Sequence, residues 1–61
     1  MTYYEIYTKD DDKYYLYNIR SNKNDAIIEA DEALREDDED YVEVREVTGK
    51  NVKVVYSKEK K

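Results

Sequence analysis

Several residue types that usually build catalytic or metal sites are missing from this chain. It has no cysteine, histidine, proline, tryptophan or phenylalanine, and Gly49 is its one glycine. No disulfide can form, and the commonest zinc and copper ligands are absent. No glycine-rich phosphate loop or nucleophile motif occurs, and the acidic runs 10–12 and 37–40 lack the spacing and the glycine of a calcium-binding loop. The sequence therefore predicts no catalytic residue, no cofactor and no metal site, in a protein that is not an enzyme.

The length limits how the chain can be stabilised. Its 61 residues leave room for a single domain, 1–61, whose stability has to come from a packed core or from a second subunit. The opening segment, Met1–Glu5, has neither the basic nor the apolar region of a signal peptide. No uncharged run is long enough to cross a bilayer. We therefore expect a cytoplasmic protein that does not enter a membrane.

The residues that are abundant share a codon bias. Eight tyrosines stand beside many asparagine, lysine, isoleucine, aspartate and glutamate residues, all of which have A/T-rich codons. This usage is typical of a phage, a mobile element or an AT-rich microbe. The alternative is a de novo designed scaffold, although designed hairpins favour Asn-Gly or Asp-Gly turns, which the run 10–12 lacks.

The alternation of apolar and polar residues predicts a ββαββ fold of the α+β class. Strands are expected at 3–8, 14–20, 41–47 and 50–57, with a frayed basic tail over 57–61. A helix is expected to begin near Asn22, whose side chain can cap it, and to end at about Glu36. One helix then covers one face of a four-stranded, mostly antiparallel sheet made of two hairpins. The hairpins are expected to adjoin either through strands 2 and 3 or through strands 1 and 4.

A two-residue turn at Asp10–Asp11 is expected to set the register of the first hairpin. That register pairs Ile6 with Tyr15 and Tyr4 with Tyr17. Because side chains alternate between faces, it divides the hairpin into two sets. The face that meets the helix then carries Tyr4, Ile6, Tyr15, Tyr17 and Ile19, and the opposite face carries Tyr3, Tyr7, Tyr14 and Leu16.

In the second hairpin, Gly49 is expected to take the left-handed position of a three-residue bulged turn, Val47–Gly49. This register sets apolar residues opposite each other and acids opposite bases. The expected pairs are Val44 with Val52, Val42 with Val54, Glu43 with Lys53, and Glu46 with Lys50. The predicted core comprises Ile6, Tyr15, Tyr17, Ile27, Ala30, Leu34, Val42, Val44, Val52 and Val54.

Charge is unevenly distributed along the chain. Residues 25–46 hold eleven acidic and two basic residues, a net charge of −9, whereas the whole chain has a net charge of −5. The candidate partner-binding surface consists of a helix stripe and the segment after the helix: Asp25, Glu29, Glu32, Glu36, Asp37, Asp38, Glu39 and Asp40. It predicts binding to a basic protein. The alternative is a solvated face that only keeps the domain soluble.

A second candidate surface follows from the tyrosines, because one helix can cover only one face of the sheet. The opposite face is expected to carry Tyr3, Tyr7, Tyr14, Leu16 and Tyr41, together with Val55. Tyrosine is enriched at protein interfaces, so this face is a candidate site for another protein or for a homodimer. The alternative is ordinary half-exposed strand tyrosines. Base stacking is not expected, because the chain lacks the basic footprint of a nucleic-acid binder.

The opening hairpin, from Tyr4 to Tyr17 with its turn over 9–15, resembles the start of HicB-type antitoxins, which also run from a hairpin into a capped helix. The third strand, the Pro-Gly segment and the DNA-binding tail of that family are missing, so no function is carried over. The leading hypothesis is a small acidic protein-protein interaction module. Its most specific form is a phage or mobile-element inhibitor that occupies a basic nucleic-acid-binding site, as a DNA mimic. The alternatives are a ligand-free structural homodimer, a designed scaffold and a sheet-face nucleic-acid binder.

Overall fold

The computed structural model describes residues 1–60, which form one helix and four strands. In chain order these are β1 (Thr2–Asp10), β2 (Lys13–Arg20), α1 (Lys23–Glu36), β3 (Tyr41–Thr48) and β4 (Asn51–Glu59). The strands make one open sheet, and α1 packs on one of its faces. The predicted ββαββ architecture is confirmed.

The strand order is β2-β1-β3-β4, so the two hairpins adjoin through β1 and β3. Both predicted arrangements, through strands 2 and 3 or through strands 1 and 4, are wrong. Because α1 carries the chain back between β2 and β3, those two strands run in the same direction. Either predicted arrangement would have set parallel strands side by side. The observed order makes every neighbouring pair antiparallel, which is slightly more stable per residue.

The helix begins and ends as its sequence predicts. The Asn22 side chain accepts a hydrogen bond from the backbone N–H of Asp25 at 3.1 Å, which caps the first turn. At the other end, the Asp37 N–H donates to the Ala33 carbonyl, and Asp38 follows with a φ of 60°. This left-handed residue turns the chain toward β3.

The core lies between α1 and the two central strands. Ile6, Val42 and Val44 are fully buried, and Leu34 packs with them. The buried stripe of α1 is otherwise made of alanine, at positions 26, 30 and 33, so the helix backbone can approach the sheet closely. Five predicted core residues are thus confirmed as buried: Ile6, Ala30, Leu34, Val42 and Val44. Ile27 is partly buried against the same cluster.

The turn of the first hairpin is Asp11–Asp12, one residue later than predicted. Both aspartates have positive φ, 52° and 70°, as a type I′ turn requires, and the twist of that turn matches the twist of the strands. Thr8 therefore lies opposite Tyr15. The predicted pairs are wrong: Ile6 with Tyr15, and Tyr4 with Tyr17.

A β-bulge in β2 then reverses the faces for the end of that strand. The register slips by one residue beside Ile6, which lies opposite Asn18 and leaves Tyr17 without a partner on β1. Ile19 consequently lies opposite Glu5, on the face away from the helix. Its predicted place in the helix-facing set is therefore wrong.

The helix packs mainly on β1 and β3 and gives the edge strands little cover. Tyr15 and Tyr17 lie on the helix side of β2 but remain 51% and 39% exposed. Their predicted burial in the core is wrong, because a single helix is too narrow to reach across four strands.

The second hairpin repeats this pattern. Gly49 has the predicted positive φ, 58°, but the turn is the two-residue Gly49–Lys50, with the arrangement of a type II′ turn. Val47 therefore lies opposite Val52, and Glu46 opposite Lys53. All four predicted pairs are wrong: Val44 with Val52, Val42 with Val54, Glu43 with Lys53, and Glu46 with Lys50.

A second β-bulge, beside Val44, leaves Val55 without a partner on β3. Val52 and Val54 fall on the face away from the helix and are exposed, so their predicted burial is wrong. Val55, expected on that outer face, instead packs against the core.

The C-terminal residues continue the sheet. β4 extends to Glu59, and the Lys60 N–H donates to the Asp40 carbonyl at 3.0 Å. The predicted fraying is therefore wrong over 57–60, where pairing with the start of β3 holds the strand. The last predicted tail residue, Lys61, lies outside the described residues.

Candidate functional site

The acidic stripe (Asp25, Glu29, Glu32 and Glu36) lies on the side of α1 that faces β2. Glu29 fixes this orientation: one carboxylate oxygen accepts from Arg20 Nε at 2.5 Å and the other from Asn18 Nδ2 at 2.8 Å. The hydrogen bond from Arg20 is the main cause that lowers the pKa of Glu29. Residues four and three positions away on a helix share its side, so the rest of the stripe borders β2 as well.

The same flank is held at its far end by a tyrosine. The Tyr17 hydroxyl donates to the Asp37 carboxylate, and this hydrogen bond raises the pKa of Tyr17 to about 12. Asp37 is therefore already engaged within the domain.

The segment after the helix, residues 37–40, is the exit loop. Asp38 forms an ion pair with Lys60, and the hydrogen bond from that lysine lowers the pKa of Asp38. The Asp40 carbonyl also accepts from Lys60, as described above. The predicted acidic surface is thus partly neutralised where the chain end meets it.

Carboxylates that are not engaged with β2 remain along the rest of the stripe. Asp25 and Glu32 are exposed and make no salt bridge with any residue in the range 1–60, and Glu36 is 3.8 Å from the exposed Arg35. A shallow depression lies where this stripe meets the end of β2, lined by Arg20, Asp25, Ile28, Glu29 and Glu32. Unpaired negative charge is therefore concentrated beside β2.

Strand β2 is itself exposed, and its residues between Lys13 and Arg20 are uncharged. Every residue from Lys13 to Arg20 is exposed except Asn18, which is half-buried. Tyr15 and Tyr17 lie on its helix side, and three more exposed apolar side chains lie on its outer side: Tyr14, Leu16 and Ile19. The acidic stripe and strand β2 together form one continuous surface, here called the β2 flank.

The sheet face away from the helix, here called the open face, carries all five predicted residues: Tyr3, Tyr7, Tyr14, Leu16 and Tyr41. Tyr3, Tyr14 and Leu16 are exposed, whereas Tyr7 and Tyr41 are half-buried in a network around Glu43. Glu43 is only 4% exposed although no other layer covers it. It accepts from the Tyr41 hydroxyl at 2.8 Å and from Arg45.

The arginine of this network also covers its aromatic neighbours. Arg45 lies 4.0 Å from the centre of the Tyr7 ring and 5.2 Å from that of Tyr14, and Tyr14 meets Tyr41 edge to face at 6.4 Å. Burial is the main cause that raises the pKa of Tyr7 and of Tyr41. The rings at the centre of the open face are therefore occupied by internal contacts, and the apolar groups that remain free lie along its rim.

The opposite flank is basic. β4 carries Lys53 and Lys58. The hydroxyl of Tyr56, also on β4, donates a hydrogen bond to the Asp31 carboxylate of α1. A groove between α1 and β4 is lined by Asp31, Leu34, Arg35, Lys58, Glu59 and Lys60. The segregation of charge along the sequence thus becomes a segregation in space, with the acidic stripe toward β2 and lysines along β4.

Sequence reasoning missed several members of these surfaces. Ile19 reaches the open face because of the bulge at Tyr17, and Val52 and Val54 reach it because of the two-residue turn at Gly49–Lys50. Nothing in their residue types signals those features. The ion pair between Arg20 and Glu29 depends on the same bulge, which turns Arg20 toward the helix. The charge pattern could have suggested a partner for Glu29 but not which one.

Over residues 1–60, no three acidic side chains are grouped so that they could hold a metal ion. The one helix in that range, Lys23–Glu36, is too short and too charged to cross a bilayer. The chain matches no family model, no curated protein and no solved structure at a significant level.

Proposed function

We propose that this chain is a small, non-catalytic protein-binding module that uses the β2 flank to hold a basic partner. The proposal rests on one observation: unpaired carboxylates and exposed apolar side chains lie next to each other on the same side of the domain. Interfaces commonly combine an apolar centre with a polar rim. Clustered negative charge also accelerates encounter with a positive surface.

The partner's chemistry follows from the two halves of the flank. Asp25, Glu32 and Glu36 favour lysine or arginine side chains. The exposed rings of Tyr15 and Tyr17 favour apolar groups and, through their faces, cations. The preferred partner is therefore a protein surface that presents both basic and apolar side chains.

A narrower hypothesis is an inhibitor from a phage or mobile element that mimics DNA and occupies a basic nucleic-acid-binding site. Phosphate mimicry needs a row of carboxylates free to meet the partner's cations. Three of the predicted acidic residues are engaged within the domain: Glu29 with Arg20, Asp37 with Tyr17, and Asp38 with Lys60. The structure therefore favours the general protein-binding form over phosphate mimicry.

The test is a charge reversal on the acidic stripe that spares the ion pair between Glu29 and Arg20. The triple variant Asp25→Lys, Glu32→Lys and Glu36→Lys should fold like the parent, because these side chains are exposed. Binding is measured by fluorescence anisotropy against a panel of purified basic nucleic-acid-binding proteins, with acidic proteins of similar size as controls. We expect the parent to bind a basic member at least tenfold more tightly than the variant at about 50 mM salt, and the difference to shrink at about 300 mM.

A charge reversal on the opposite flank serves as the control. The variant Lys50→Glu and Lys58→Glu reverses two exposed lysines along β4 and its turn, and it leaves the ion pair between Lys53 and Glu46 intact. It should leave binding to a basic partner unchanged or strengthen it. Equal binding by the parent and the acidic-stripe variant would contradict the proposed function.

Self-association through the open face is a second candidate, favoured by the size of that face. The molecule measures 32 × 22 Å across its longer axes, which gives roughly 700 Å² of sheet face, close to the roughly 800 Å² that each partner buries in a standard interface. Stacking two open faces would also keep both acidic stripes on the outside. Sedimentation equilibrium tests it: a monomer at about 100 μM would exclude a stable dimer of typical micromolar affinity.

A further inference from the structure

The two edge strands differ in how they are protected from pairing with another strand. Edge strands commonly carry lysines, which discourage added strands. β4 carries Lys53 and Lys58 within its length. In β2 the charged residues are confined to its two ends, Lys13 and Arg20, and the residues between them are uncharged. β2 is therefore the unprotected edge of this sheet.

The geometry of the hairpin shows which main-chain groups this edge offers. In a two-residue hairpin, the residues that flank the turn exchange hydrogen bonds, and bonded and unbonded pairs then alternate along the strands. Lys13 flanks the turn, so Lys13 and Tyr15 bond to β1. Tyr14 and Leu16 consequently turn their N–H and C=O groups outward.

We infer that β2 is a strand-addition site, at which an extended segment of the basic partner pairs with the main chain of Tyr14 and Leu16. This inference rests on the proposed function and specifies how the β2 flank holds its partner. Main-chain pairing supplies affinity in such complexes, and the side chains on alternate positions supply specificity. The bulge at Tyr17 limits regular pairing to the half of β2 near the turn.

The surroundings of this edge determine the side chains of the added strand. On the helix side, the added strand lies beside the acidic stripe and Tyr15, which favours lysine or arginine. On the open face it lies beside Leu16 and Tyr14, which favours valine, isoleucine or an aromatic residue. The ligand is therefore an extended segment in which cationic and apolar residues alternate.

Charge also argues against a second copy of this chain as the occupant. Antiparallel pairing of β2 with its symmetry mate would make a continuous sheet, with both helices on the same face. Because the acidic stripe of each copy lies on the β2 side of its helix, the two stripes would face each other across the junction. Such like-charge juxtaposition opposes the homodimer and favours a cationic segment.

The experiment uses a ten-residue peptide of alternating lysine and valine, titrated into isotope-labelled protein and followed by NMR. We expect chemical-shift changes along β2 and the acidic stripe, and slower hydrogen exchange at the Tyr14 and Leu16 amides. A peptide N-methylated at every residue should bind at least tenfold more weakly, since it has no N–H group to donate along either edge. A peptide with glutamate in place of lysine should also bind at least tenfold more weakly.

Two matched proline variants of the protein test whether the main chain of β2 pairs with the peptide. Leu16→Pro removes an outward N–H and no hydrogen bond to β1, and should lower peptide affinity at least tenfold. Val54→Pro makes the corresponding change on β4, where Val54 is 53% exposed compared with 51% for Leu16. It should leave the affinity unchanged. Circular dichroism verifies that both variants fold, and the N-methylated peptide tests strand addition without any variant.

The outcomes separate the inference from the proposed function. If the lysine peptide binds but neither N-methylation nor Leu16→Pro weakens it, strand addition is wrong and binding through the acidic stripe stands. If the glutamate peptide binds as tightly as the lysine peptide, the proposed preference for a basic partner is wrong, whatever the result for strand addition. Failure of the lysine peptide to bind at all would overturn strand addition, while the protein panel described above would still test the proposed function.

Discussion

The two hairpins are built alike, and they differ mainly in the charge of their outer strands. Each has a two-residue turn, a buried central strand and an exposed edge strand interrupted by one bulge, at Tyr17 in β2 and at Val55 in β4. In each edge strand one tyrosine hydroxyl also donates a hydrogen bond to an aspartate: Tyr17 to Asp37 and Tyr56 to Asp31. The lysines that guard β4 have no equivalent within β2.

This difference teaches that the lack of charged residues within β2 is not a general consequence of the fold, since β4 is equally exposed and carries lysines. The two edge strands have the same geometry but differ in charge. The strand without internal lysines, β2, lies beside the acidic stripe. An edge that needs only to stay soluble is better served by lysines, as in β4. The comparison therefore supports a binding role for the β2 flank, and the following predictions test how far the likeness of the hairpins extends.

The largest expected difference is between centre and edge within one hairpin. Ile6 is fully buried and Ile19 is 47% exposed, so replacing each with alanine compares the stability contribution of a buried and an exposed isoleucine. Ile6→Ala should lower the free energy of unfolding by about 2–5 kcal/mol, and Ile19→Ala by about 0.5 kcal/mol or less. Urea denaturation measures both. Similar losses at the two sites would show that β2 is covered in solution, as in a dimer.

Substitutions at the positive-φ residues of the two turns should change the stability of the domain in opposite directions. Gly49 has a positive φ, and an added side chain there would meet no atom within 4 Å, so the cost of Gly49→Val is purely conformational. That cost should be about 1–2 kcal/mol, and Gly49→Asn should be milder. In the other turn, Asp12 has a φ of 70°, and Asp12→Gly should stabilise by about 0.5 kcal/mol. Thermal melts of the three variants check the signs, and a destabilising Asp12→Gly would argue against the type I′ turn.

The matched tyrosines should give a smaller effect, confined to high pH. The hydrogen bonds to Asp37 and Asp31 are the main causes that raise the pKa of Tyr17 and of Tyr56 to about 12. Because the folded values lie above the ordinary value of 10, this stabilisation is complete below pH 10 and is lost as the pH rises toward 12. Tyr56→Phe should cost about 1 kcal/mol at neutral pH, and Tyr17→Phe less, since Tyr17 is more exposed.

Ultraviolet titration gives an independent measure of those tyrosines. Tyr17 and Tyr56 should be the last of the eight to ionise, near pH 12, and each phenylalanine variant should remove one of them from this last phase. If neither variant changes the late phase, the two hydrogen bonds do not persist in solution.

The smallest effect concerns the ion pairs that tie each flank. The pKa of Glu29 lies below its ordinary value of 4.5, so its pairing with Arg20 stabilises the fold above that pH and is lost as the pH falls through the lowered value. Arg20→Met should therefore reduce stability at pH 7, and should reduce it less at pH 3. Lys60→Met, which removes the more exposed pair with Asp38, should show the same sign with a smaller amplitude. Urea midpoints at the two pH values give the comparison.

Sequence periodicity was enough to predict the elements but not the way their edges pair. The helix phase followed from the alanines and Leu34, whose spacing leaves one solution, and the Asn22 cap followed from its residue type. The registers failed because Asp10, Asp11 and Asp12 are locally equivalent as turn residues. A bulge likewise has no signature in a strand such as β2, where apolar residues occur on both sides.

The candidate site could be predicted in outline only. The acidic stripe is a direct consequence of helical spacing, and its residues are where they were expected. Whether Glu29 faces water or Arg20 depends on strand order and on the bulge at Tyr17, both of which are tertiary properties. For the same reason β2 could not be recognised as an edge strand until β3 was seen to pair with β1.

The pairing of β1 with β3 has a consequence for the order of folding. Both hairpins and the helix are local structures, whereas the central ladder joins Thr2 to Thr48 and Thr8 to Val42, across most of the chain. Closing such a long loop is entropically costly, and native contacts of large sequence separation slow folding. We therefore expect the hairpins to form early and the zipping of β1 to β3 to limit the rate. Until then β1, the strand that carries Ile6, is itself an unprotected edge, so a newly made chain is most exposed to mispairing at what later becomes its centre.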